Sequence, residues 1–292
     1  MTWLIADRLF IRGNFKTEFA GFLQHLHSDN YPFFIAALLL VAVNWFLETY
    51  KWKILLQSGQ SFVSLFKAVL AGVTLGFITP GRGGEFVGRA MYLEGDNQPK
   101  AFYLSVIGGL AQAAATLVAA SLLLRLWRDD SFLYALVTGA ALIFLLFYFR
   151  YDWFNRFISS NSFLQSRGWV LQRIHVPKFF TQLKVFFLSL LRFTVYLHQY
   201  VLLLVFFGSD SDLVTLSACT AVFLLFQTFS PLMPLLDLSF RGGTALYVFS
   251  ESDENQLVVL SAVTFVWLMN LVLPALLGYL FILRKRISTD AL

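Results

Sequence analysis

From Tyr31 onward the chain returns repeatedly to apolar runs of about twenty residues, the length needed to cross a ~30 Å hydrocarbon core. That recurrence constrains the fold more than any other feature. With no water at that depth, each run has to satisfy its own backbone polar groups, which restricts it to helices or a closed barrel. Runs of twenty suit helices. Composition agrees: 58% of the 292 residues are hydrophobic and only 13% are charged, about half the charged share usual in soluble proteins. An all-α, polytopic transmembrane helix bundle follows. No polar stretch is long enough to form a separate aqueous domain, so residues 1–292 read as one integral membrane domain.

Uninterrupted spans are expected at about 31–50, 101–127, 131–150, 178–207 and 256–283. Two further apolar stretches, 61–89 and 213–249, are broken by turn residues. Pro80, Gly81, Gly83 and Gly84 interrupt the first, and Pro231, Pro234, Gly242 and Gly243 the second. The architecture read from this is about six full spans plus two broken re-entrant hairpins. The first half covers 1–128, a connecting span 131–150, and the second half 151–292. Residues 1–30, with Arg8, Arg12, Lys16 and Glu18 among Leu, Phe and Trp, suit an amphipathic interfacial helix. They lack a cleavable-signal pattern and are read as retained. Trp153, Phe154, Phe157, Trp169 and Val170 are candidate interfacial anchors in the basic stretch 151–177.

Basic loops stay cytoplasmic. Arg150, Arg156, Arg167, Arg173 and Lys178 put the central linker inside, and Arg284, Lys285 and Arg286 do the same for the C-terminus. The loops 208–212 and 251–255 carry no basic residue and fit the outside. The first hairpin then opens to the cytoplasm and the second to the exterior, an inverted repeat. Paired interrupted segments of this kind point to a substrate site near the membrane midplane.

Ionisable groups within such segments are costly and are read as functional by default. The candidates are Glu48, Lys67, Arg82, Glu85, Arg89, Arg192, His198, Asp237 and Arg241. Cations outnumber anions, and the arginine fork matches phosphate oxygens. For Arg82, Glu85 and Arg89 the plain alternative is an internal salt bridge with one arginine snorkelling to headgroups. Asp237 and Arg241, four residues apart, could simply pair along a helix. Arg192 sits too deep in its span to snorkel. Glu48, beside Lys51 and Lys53, reads as a locally paired residue near the cytoplasmic interface, and His198, Gln112, Gln199, Gln227 and Asn270 as interhelical hydrogen bonders. Gly108 and Gly109 are expected to permit close helix packing. Asp129 and Asp130 read as a solvated loop.

No glycine-rich phosphate loop with its lysine, no HExxH and no Cys/His metal spacing occurs, so neither a cofactor nor a metal is expected. Cys219 is the sole cysteine, which excludes an intramolecular disulfide. A net charge of +5 suits anionic lipid, whereas nucleic acid would require an exposed basic face.

The stretch TPGRGGEFVGRA resembles the signature of the lysylphosphatidylglycerol synthase transmembrane-region family, also called flippase-like domain proteins. NWFLETYKWK, SLLRFTVYLHQY and MPLLDLSFRGG fit the same resemblance. It falls on Pro80, Arg82, Gly84, Glu85 and Arg89 in the first half and on Pro234, Asp237, Arg241 and Gly242 in the second. Members of that family include a membrane domain that moves aminoacylated phosphatidylglycerol between leaflets, and relatives associated with glycolipid, isoprenoid-phosphate and hopanoid pathways. The 292 residues leave no room for the soluble aminoacyl-transferase domain of better-known members, so the chain is not expected to make the lysylated lipid.

The resemblance implies a flippase-like protein of the bacterial inner membrane that binds an anionic phospholipid or isoprenoid-linked precursor and moves its headgroup between leaflets. Without a nucleotide site, movement would be gradient-driven or downhill. Arg82, Arg89, Arg192 and Arg241 would hold phosphate, with Glu85 and Asp237 orienting them. Two other classes stay open: an integral-membrane transferase acting on a lipid phosphate, and a scaffold partner of a lipid or glycan biosynthetic enzyme.

Overall fold

The computed structural model describes residues 30–290 apart from 94–97, 99, 129, 151–176, 231 and 253, with side chains to Lys285. The expected interfacial helix over 1–30, the anchors between 151 and 176 and Pro231 lie outside the described residues. Every regular element among those described is helical. Among the described residues, five helices are long and apolar enough to span a membrane: α1 (Tyr31–Leu56), α4 (Lys100–Trp127), α5 (Ser131–Phe149), α6 (Phe179–Phe206) and the segment Gln256–Lys285. They coincide with the five uninterrupted runs named above; the described residues supply no sixth full span. The protein is an integral membrane helix bundle.

Side chains placed before each apolar run start several of these helices. Ser61 caps α2 (Phe62–Phe77) through the Ser64 amide, Asp130 caps α5 through that of Leu133, and Asn255 caps α9 (Gln256–Trp267) through that of Leu257. Asp212 takes the amides of Val214 and Thr215 at the start of α7 (Leu213–Thr228). A further hydrogen bond from the Thr215 hydroxyl, with that of the Thr215 amide, holds the Asp212 carboxyl below its usual range. Asp130 thus serves as a helix cap.

The last span is not one regular helix. Residues Leu268–Val272 form a π-turn between α9 and α10 (Leu273–Asp290), and the Leu273 amide bonds the Leu268 carbonyl five residues back. Pro274 explains it: its ring replaces the N–H that would bond the Asn270 carbonyl and crowds that oxygen. The turn carries Asn270 into the bundle, 1% exposed.

Two short hairpins complete the bundle. In the first, α2 turns through a 3₁₀ segment (Pro80–Arg82) into α3 (Glu85–Ala90). In the second, α7 turns into α8 (Leu238–Phe249). At 1.5 Å per residue α2 and α7 each rise roughly 24 Å, short of a ~30 Å core. Their tips meet: the Leu235 amide donates to the Phe77 carbonyl at 3.2 Å, and Trp267 bonds the Pro234 carbonyl at 3.0 Å while packing on the Phe77 ring. Their bases belong to different cores at opposite ends of α6, Leu65 in the core of Val185 and Leu216 in the core of Leu203. Gln60 bonds the Tyr92 carbonyl at the base of the first, and Ser211 approaches the Ser252 carbonyl at the base of the second. The hairpins therefore open toward opposite ends.

The first-hairpin end also holds Lys285, whose ammonium contacts the Met91 carbonyl and lies over the Tyr92 ring. The other end carries the Ser209–Glu254 hydrogen bond and Arg128 near Glu251. Gly242 and Gly243 do not break the second hairpin as expected; both lie inside α8, and the break falls at 229–237. Neighbouring α8 residues on a packed face override the modest helix cost of glycine.

Each hairpin packs into its own hydrophobic core. Leu65, Val69 and Val73 of the first join Trp52, Leu104, Ile107 and Val185, whereas Leu216, Phe223, Ala245 and Val248 of the second join Leu117, Leu203, Val259 and Val263. α1, α4 and α6 run through both cores. Asn44, Ser189, Arg192 and Asn270 are buried near the boundary between them. α5 is peripheral, with Phe132, Leu136, Leu142 and Leu146 facing outward as a lipid-facing surface requires.

Candidate functional site

The first hairpin is held by glycines that let α3 lie directly on α2. A Cβ at Gly88 would fall 2.2 Å from the Ala71 carbonyl oxygen, and one at Gly84 would fall 2.5 Å from that of Leu75. Such contacts are too close for any side chain. The hairpin turn has two consecutive positive φ angles, Gly81 at 55° and Arg82 at 59°. For arginine this is a costly conformation, sustained by the turn around it, and it leaves the Arg82 side chain 43% exposed.

Glu85, the first residue of α3, binds both arginines of its segment. Its Oε2 lies 3.3 Å from Arg82 Nε, and its Oε1 accepts from Arg89 Nη2. Arg89, four residues on, is turned inward, where it donates to Glu48 Oε1 at 2.8 Å and stacks over the Trp52 ring at 4.6 Å. Gly72 seats it, since a Cβ there would meet Arg89 Cγ at 2.9 Å. Glu48 also accepts from Arg192 and pairs with Lys51 at 2.7 Å. It is the hub of the site.

A polar belt extends from this hub across the bundle. Arg192 Nε donates to Asn44 Oδ1 at 2.9 Å, and Asn44 donates to Asn270 Oδ1 at 3.0 Å. Asn270 in turn donates to Gln199 Oε1 at 3.2 Å. Gln112 donates to the Ser189 carbonyl and approaches Arg192 through its own oxygen. In all, Lys51, Arg82, Arg89 and Arg192 face two carboxylates, Glu48 and Glu85, leaving an excess of two positive charges.

The second hairpin repeats part of this pattern. Arg241 Nε lies 2.7 Å from Asp237 Oδ2, four residues apart as in Glu85 and Arg89, with Tyr200 of α6 alongside. Ser230 donates to Asp237 at 3.3 Å. Here one cation meets one anion.

Five of the site residues expected from sequence are thus ion-paired within their own hairpin, and Arg192 with Glu48. The structure joins Arg82, Glu85, Arg89 and Arg192 into one network through Glu48, while Asp237 and Arg241 form a separate pair. Glu48 pairs locally with Lys51, as expected, but both are buried, 5% and 2% exposed, and Glu48 also has distant partners that were not expected. The signal that could have found them is the i, i+4 register of Asn44 and Glu48, which puts an amide and a carboxylate on one stripe of an apolar helix.

Gln112, Gln199 and Asn270 are interhelical bonders as expected. His198 is not, for its Nδ1 bonds the Thr194 carbonyl of its own helix and it faces an apolar groove between α1 and α6. The Gln227 amide has no partner among the described residues. Lys67 lies over the Phe281 ring. Gly108 packs in ordinary contact with Leu55 of α1, and Gly109 has open space beside it; closer approaches occur at Gly72, Gly84, Gly88 and Gly278. The described residues hold no group of three or more His, Cys, Asp or Glu side chains placed to bind a metal.

A sequence model of the family described as Lysylphosphatidylglycerol synthase TM region matches residues 9–243, and the chain belongs to that family. No curated protein and no solved structure matches it.

Proposed function

We propose that this member of the lysylphosphatidylglycerol synthase transmembrane-region family binds an anionic phospholipid or lipid-linked precursor by its phosphate and moves the headgroup between leaflets. The observation that carries the reading is the surplus of positive charge buried around Glu48 and Glu85, with Arg82 reaching out of it. Uncompensated cations at membrane depth are costly, and a phosphate is the membrane's own abundant counter-anion. The meeting of two oppositely opening hairpins supplies short helices and irregular backbone at mid-bundle, where a polar headgroup would need them.

The reading includes an inverted repeat, a cytoplasmic C-terminus and a bacterial inner-membrane location. A transferase would need a free acid or base; Glu85 and Asp237 are both committed to arginines, and His198 faces an apolar groove away from both. A scaffold role predicts tolerance of charge loss in the hairpins.

Reconstitution in liposomes with fluorescent phosphatidylglycerol tests the proposal. Loss of a charge-assisted phosphate contact, worth about 1.5–3 kcal/mol, should slow translocation by R82A roughly tenfold or more. Wild-type rates for both R82A and R241A would refute the phosphate role.

A further inference from the structure

We propose that Glu85 is a resident counter-anion, which the lipid phosphate displaces from Arg82 and Arg89 on binding and which expels the phosphate on release. The proposal rests on the phosphate reading above and assigns the place within the network where exchange happens.

The two carboxylates of the network differ in access. Glu48 has a side chain 7% exposed and is surrounded by Lys51, Arg89 and Arg192, whereas the Glu85 side chain is 20% exposed beside the half-exposed Arg82. An anion arriving from solvent or headgroups therefore meets Arg82 and Glu85 first. Glu85 uses one oxygen for each arginine, Oε2 for Arg82 and Oε1 for Arg89. A phosphate offers the same two acceptors and further oxygens besides.

The site has a donor to spare. Arg89 is 3% exposed, yet its Nε has no hydrogen-bond partner, so its guanidinium is not saturated by the two carboxylates it touches. Departure of Glu85 also leaves no buried arginine alone, because Arg89 keeps Glu48 and the ring of Trp52. Gly81 at φ 55°, with open space where a Cβ would stand, permits the turn bearing Arg82 to adjust. The second hairpin shares the spare donor, for Arg241 Nε also has no hydrogen-bond partner, but it lacks the access: Asp237 is 3% exposed, holds a single arginine and accepts from Ser230 as well. Exchange is accordingly confined to the first hairpin.

The test compares binding with turnover in the full chain. Calorimetry in detergent would titrate short-chain phosphatidylglycerol, short-chain phosphatidylcholine and inorganic phosphate, and vesicles would report translocation of fluorescent phosphatidylglycerol. Removal of the competing carboxylate in E85Q should tighten phosphatidylglycerol binding on the order of tenfold while slowing translocation. E85D, too short to hold both arginines, should fall between E85Q and wild type in both measurements, and R82A should bind weakly. A gain confined to phosphatidylglycerol assigns the ligand to the lipid, and an equal gain for inorganic phosphate assigns it to phosphate whatever carries it; either supports exchange. Unchanged or weaker binding by E85Q and E85D, with R82A still defective, overturns exchange and leaves the phosphate reading standing. Wild-type binding and translocation in R82A overturn exchange, and the same result in R241A as well overturns the phosphate reading with it.

Discussion

The two hairpins share a plan and differ in charge. Each carries a carboxylate and an arginine four residues apart, and each arginine lies beside an aromatic residue of a central span, Trp52 for Arg89 and Tyr200 for Arg241. The second hairpin stops there, electrically balanced. The first adds Arg82 at the turn and, through Glu48, the buried cations Lys51 and Arg192. A balanced pair fastens a short helix, whereas an unbalanced network stores a demand for an anion. The comparison divides a fold whose two hairpins are alike in plan into a balanced half and an unbalanced one, and the proposed exchange belongs to the unbalanced half.

The sharpest way to break that comparison is to neutralise the hub. Glu48→Gln leaves Arg89, Arg192 and Lys51 short of their shared partner in the interior, a loss of about 3–5 kcal/mol by the usual cost of breaking a buried pair. Asp237→Asn disturbs one arginine only and should cost clearly less. Thermal unfolding of both variants in one detergent orders them, and equal losses would end the distinction between hub and pair.

Packing provides the next effect. Gly88→Ala would force α3 off the α2 backbone, at roughly 1–3 kcal/mol. Gly109→Ala, with nothing within 4 Å of its Cβ, should be neutral or stabilising by up to about 1 kcal/mol. The same unfolding measurement compares them, and a harmless Gly88→Ala would show that the hairpin arms are not closely joined.

The junction between the tips should show the smallest change. Trp267→Phe keeps a ring against Phe77 but removes the hydrogen bond to the Pro234 carbonyl, about 1 kcal/mol. Hydrogen exchange at the Leu235 amide would report it, with protection lost there before it is lost at the hairpin bases.

Much of this was legible without coordinates. Span lengths follow from bilayer thickness, and the break at Pro80–Arg82 follows from what proline and glycine do to a helix. The family signature in TPGRGGEFVGRA was legible too. Gly242 and Gly243 misled because glycine only weakens a helix, and packing of α8 decides whether the weakness matters. Glu48 was only half legible: the local pair with Lys51 can be read from the sequence, but its other partners stand 41 and 144 positions away.

The sequence by itself determined that the chain is helical, lies in a membrane, and carries two interrupted apolar segments with arginines in or just after their breaks, since these rest on hydropathy, length and local backbone chemistry. Only the tertiary structure decided which charges share a site. That depends on α1, α3 and α6 converging between two hydrophobic cores, where a low dielectric makes every unmatched charge expensive and every partner count.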